Sequence, residues 1–171
     1  MNLQQAFLAE HSLQQSKFIC NYLLQNPNKI SEFFDCVFSD NKLISQRSAW
    51  VLRFLAEANP NILQPYISKL VTNLSKPNHD AVIRNTLSVL EKVDYPEELL
   101  GEIFDKSIHF LQNAAMPHAI RAFAMTCALK VVLQFPELKN ELKSIVEEAM
   151  IFGSPAIISR GKKTLKQLNK I

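Results

Sequence analysis

Residues 80–87 read DAVIRNTL, and the fold of the chain turns on the recurrence of that pattern. Comparable strings occur at 43–50 (LISQRSAW), 117–124 (PHAIRAFA) and 156–163 (AIISRGKK). Each places an arginine a few residues after a polar or proline break, inside an apolar run. The four arginines, Arg47, Arg84, Arg121 and Arg160, are separated by 37, 37 and 39 residues. A period of that length marks a chain built from repeated supersecondary units.

Outward from the arginines the apolar spacing is helical. Ile83, Leu87 and Leu90 share a face, as do Ile44, Val51, Leu55 and Ala58, while alternating strand-like stretches are absent. Proline punctuates the pattern in two interleaved series. Pro27, Pro60, Pro96 and Pro136 precede shorter amphipathic runs, and Pro77, Pro117 and Pro155 precede the partner runs. Proline suits a first helical turn, where its missing N–H would have had no intrahelical acceptor. The expected helices are 2–9, 12–25, 28–38, 42–58, 60–74, 78–93, 96–112, 117–134, 137–150 and 155–170. Pro65 falls inside the fifth and should kink it.

Two helices per period of 37 to 40 residues are the signature of an α-solenoid. On these residues the chain resembles the HEAT-repeat family, within the armadillo-like helical class, over residues 27–171. The resemblance implies an all-α, right-handed α-α superhelix of four helix pairs, with residues 1–26 as an N-terminal helical cap and 1–171 as a single domain. It also implies that the second-helix arginines are structural. In such repeats a turn aspartate often pairs with the arginine, but the position six before each arginine here holds Asn41, Asn78, Ala115 and Ser154. Arg121 is the only formally charged residue between His118 and Leu129, so it should have a carboxylate or several carbonyls as partners.

Composition narrows function mainly by exclusion. The chain is 47% hydrophobic and 20% charged, ordinary for a globular protein, and no apolar run approaches the roughly 20 residues of a membrane span. Cys20, Cys36 and Cys127 are odd in number and far apart, which favours a reducing, cytoplasmic setting over a disulfide framework. The N-terminus has no signal-peptide pattern. The glycines, Gly101, Gly153 and Gly161, form no phosphate-cradling loop, and the histidines have no metal-ligand spacing. No cofactor and no metal are expected.

Three groups of residues invite a partner. Trp50 and Arg53 do not recur: counted from the series arginine, the equivalents of Trp50 are Leu87, Ala124 and Lys163, and those of Arg53 are Leu90, Cys127 and Lys166. Non-recurring Trp and Arg at a groove are typical of binding hot spots, although a tryptophan at a face border is more often packing. Glu98, Glu102 and Asp105 share a helical face in an acidic stretch; the ordinary reading is a solvated face near a helix N-terminus. Lys162 and Lys166 stand in a basic row opposite Ile158, Leu165 and Leu168; the ordinary reading is a capping helix.

The resemblance and the missing catalytic motifs point to a non-catalytic scaffold or adaptor that binds a protein or peptide on its concave face. The alternative is a nucleic-acid-binding protein of the alkylated-base DNA glycosylase type, which needs a basic groove with aromatic residues and a carboxylate.

Overall fold

The residue before a proline is pushed out of the α region, and this ends helices at regular places in the chain. Asn26, Asn59 and Phe135, each followed by proline, have φ/ψ of −131°/72°, −157°/88° and −125°/78°. The prolines that follow, together with Pro96, each open a 3₁₀ turn: Pro27–Lys29, Pro60–Tyr66, Glu97–Leu99 after Pro96, and Pro136–Leu138. All four turns run directly into α-helices. In a computed structural model that describes residues 1–171, the whole sequence, there are ten α-helices and no strand. No helix is long and apolar enough to cross a membrane.

The helices group into two compact units, Met1–Asp94 and Tyr95–Ile171. The first contains α1 (Leu3–Ala9), α2 (Leu13–Gln25), α3 (Ile30–Val37), α4 (Lys42–Ala58), α5 (Ile67–Asn73) and α6 (Asp80–Leu90). The second contains α7 (Leu100–Gln112), α8 (His118–Val132), α9 (Lys139–Ile151) and α10 (Pro155–Leu168). In the first unit α1 packs on α3, and α4 lies between α2 and α6. In the second, α7 packs on α9 and α8 on α10. First helices therefore meet first helices, and second helices meet second helices, inside each unit.

α4 shows how the sequence builds a second helix. Asn41 caps it, its side chain accepting from the N–H groups of Leu43 and Ile44 at 3.0 and 3.3 Å. The helix runs until Asn59 is forced extended by Pro60. Val51, Leu52 and Leu55 are fully buried, each worth about 1.5–3 kcal/mol on burial. Ala58, expected on the same face, is exposed at the helix end.

Two local expectations change. Residues 60–74 do not form one kinked helix: the backbone is 3₁₀ through Tyr66 and α-helical only from Ile67. Pro65 has no N–H to donate to the Asn61 carbonyl four residues back, which interrupts an α ladder, and Tyr66 stacks on Phe34 of α3 with centroids 3.7 Å apart. In α10 the buried row is Ile157, Gly161, Thr164 and Leu168, not Ile158, Leu165 and Leu168. The small residue Gly161 lets α9 approach, since a Cβ there would stand 2.4 Å from the Met150 sulfur. Apolarity alone hid a row whose middle members are glycine and threonine.

Candidate partner-binding groove

Gln46, Trp50, Phe54 and Ala58 stand four residues apart on α4, so they form one row along the helix. That row lines two clefts of the first unit. One, about 210 Å³, is closed by His11 from the α1–α2 loop and by Ala81, Arg84 and Asn85 of α6. The other, about 310 Å³, lies against Lys17, Cys20 and Asn21 of α2 and includes Glu57. The face of α4 between its two neighbouring second helices is therefore furrowed along its length.

Trp50 is half-buried in the first cleft. His11 meets its ring edge-on, with centroids 5.2 Å apart and planes at 83°, and Phe54 lies 6.1 Å further along the row. Arg84 is exposed beside it. Asn85, by contrast, is buried and spends its amide on the Ala81 carbonyl at 2.8 Å. The cleft thus offers an aromatic surface with a guanidinium at its margin.

Arg53 is exposed one turn on. Its Nε donates to Glu57 at 3.2 Å, and Lys92 Nζ donates to the same carboxylate oxygen at 2.9 Å. Hydrogen bonds from Lys92 first, then Arg53, hold the Glu57 carboxyl below the ordinary glutamate range. Glu57 is therefore ionised and occupied at neutral pH, and unsuited to general-acid work. Cys20, at the neighbouring cleft, has its thiol pushed up by burial and secondarily by Glu57; burial raises Cys36 to about 11. Neither is an activated nucleophile.

The remaining residues singled out from the sequence lie in several environments. Arg47 Nη1 donates to the Phe7 and Leu8 carbonyls at 2.6 and 3.1 Å, tying α4 to the end of α1. Arg121 is buried, and its Nε donates to the Leu111 carbonyl at 2.9 Å, at the end of the first helix of its own pair. Arg160 is half-buried, bonds the Thr126 hydroxyl of α8 and lies over the Phe123 ring at 5.8 Å. Arg84 departs from this behaviour: it is exposed and lines the Trp50 cleft. The positions six before the arginines have another job. Asn41 and Ser154 cap α4 and α10, and Asn78 donates to the Asn73 carbonyl at 2.5 Å.

In the second unit, Glu98, Glu102 and Asp105 are exposed. Glu98 sits in a 3₁₀ turn rather than in α7, and Glu102 pairs with Lys106 at 3.3 Å. Lys162 and Lys166 are exposed on α10. His11 carries no signal in the sequence pattern, and Arg84 looks there like the other repeat arginines. The four-residue row through Trp50 was readable, whereas the His11 contact arises only from tertiary packing.

A family model described as HEAT repeat domain matches residues 3–168. No curated protein and no solved structure gives a match.

Proposed function

The chain belongs to the HEAT-repeat family, and from that premise we propose that it is a non-catalytic scaffold or adaptor. It binds a segment of a protein partner along the α2–α4–α6 face of the first unit. The observation that carries this reading is the half-buried Trp50 in a cleft bordered by His11 and the exposed Arg84. Large aromatics anchored in pockets, with arginine beside them, supply most of the binding energy at protein interfaces. Lys17, Arg53, Arg84 and Lys92 outnumber Glu57 around the groove, which favours an acidic segment. The test is affinity capture from native lysate with wild type and Trp50→Ala/Arg53→Ala. Loss of partners from the variant supports the groove; recovery of the same partners counts against it.

The same excess of cations beside half-buried aromatic rings supports nucleic acid as the second reading. Binding there would rest on phosphate neutralisation and fall steeply with salt. A duplex or single strand that fails to bind at low ionic strength removes it.

A further inference from the structure

The second unit contains a larger cavity, about 460 Å³, at the turn between α7 and α8. Leu111, Ile145, Ala149 and Phe152 give it apolar walls, and Arg121 and His118 bring cationic or hydrogen-bonding chemistry to it. That volume is in the range of small-molecule sites, where mostly apolar walls carry a few convergent polar groups.

Arg121 is what makes the cavity more than a gap. It is only 8% exposed, yet it has no carboxylate partner, and its one hydrogen bond within the protein uses Nε on the Leu111 carbonyl. The Nη1 and Nη2 donors have no protein acceptor, and the residue lines the cavity. The outer fork is not sealed in the protein: it reaches the cavity, where its donors are open to an acceptor other than the protein. At the neighbouring end of the same cavity, α8 begins at His118 after Pro117, with no side chain capping its first turn. Both features favour negative charge at one place.

We propose that this cavity is a binding site for an organic carboxylate with an apolar body. The carboxylate takes the Nη1–Nη2 fork of Arg121, and the apolar body lies against Ile145, Ala149 and Phe152. A planar fork matches a carboxylate in a bidentate pair. Glu148, exposed at the cavity margin, repels any anion, a phosphate dianion about twice as strongly as a monoanion. Phe152 is 96% exposed and Ile151 68% exposed, so the site has an apolar lip that a ligand would cover. This site is separate from the Trp50 groove and does not rest on it.

The test uses the whole chain, ¹⁵N-labelled, titrated by NMR with octanoate, octanamide and inorganic phosphate. Two further probes, a tetrapeptide ending in a free phenylalanine carboxylate and its C-terminal amide, distinguish a peptide end from a free acid. The expected result is saturable shifts at Leu111, His118, Ile145 and Phe152 with a carboxylate probe, at least tenfold weaker binding of its amide, and weaker binding of phosphate. Arg121→Lys should weaken the carboxylate at least tenfold. Because Arg121 also holds Leu111, Phe152→Ser is the second variant: its side chain is exposed, so folding is retained, and affinity should fall about fivefold. The proposal is overturned if neither carboxylate probe shifts these residues at millimolar concentration, if acid and amide bind alike, or if Phe152→Ser binds as wild type does.

Discussion

His11 and Trp50 meet edge to face, 5.2 Å between centroids and 83° between planes, although one lies in a loop and the other in the middle of α4. This contact joins the N-terminal helices to the groove. Edge-to-face pairs contribute about 0.5–1.5 kcal/mol beyond area burial. A double-mutant cycle with His11→Ala and Trp50→Leu, read by denaturant unfolding followed by circular dichroism, should give a coupling of about 0.5–1 kcal/mol. Additive single effects would show that the two rings are only neighbours.

The arginine series should divide when mutated. Arg47→Met removes two charge-assisted hydrogen bonds to the Phe7 and Leu8 carbonyls and should cost about 1.5–3 kcal/mol. It should also raise amide exchange in α1 before the rest of the unit. Arg84→Met, at an exposed position, should stay within about 0.5 kcal/mol. Equal losses at both positions would restore a common structural role.

Two glycines should respond with opposite signs. A Cβ at Gly153 would stand 2.9 Å from the Ala149 carbonyl oxygen and 2.7 Å from Ile157 Cγ2, so Gly153→Ala should destabilise by about 1–3 kcal/mol. Nothing lies within 4 Å of a Cβ at Gly101, in the first turn of α7, so Gly101→Ala should stabilise by about 0.4–1 kcal/mol. Thermal unfolding of the two variants decides both.

The Glu57 cluster predicts a pH dependence. Its folded pKa is depressed below the ordinary value of 4.5, so its contribution is fully present above that value and is lost as pH falls through the folded pKa. All three side chains are at least a third exposed, which limits the contribution to about 0.2–1 kcal/mol. Glu57→Gln should therefore be slightly less stable than wild type at pH 7, with the gap closing as pH falls through the depressed pKa of Glu57 and shrinking in high salt. A gap that widens on acidification would contradict the assigned pairing.

The helices were legible because proline and apolar period act locally. Asn59–Pro60 and Phe135–Pro136 end helices through sterics between adjacent residues, and the sequence displays such pairs directly. Three-residue 3₁₀ openings were not legible, since they share the apolar period of the helices they start. Arg47 and Arg84 look alike in sequence and differ in the structure because α1 ends beside one and a cleft opens beside the other. The groove was half legible. Trp50 stood out as an exception to the repeat, but His11 reaches it only through the packing of α1 and α2.

Trp50 is the only tryptophan of the chain, so it reports directly on whether a partner occupies the groove. The decisive measurement is its fluorescence, with acrylamide quenching, during titration with a captured partner segment that contains no tryptophan. Binding along α4 predicts a saturable change in emission and protection from quenching, both with the same midpoint as binding measured by calorimetry. Saturable binding that leaves the emission and quenching of Trp50 unchanged would place the partner elsewhere and contradict the account.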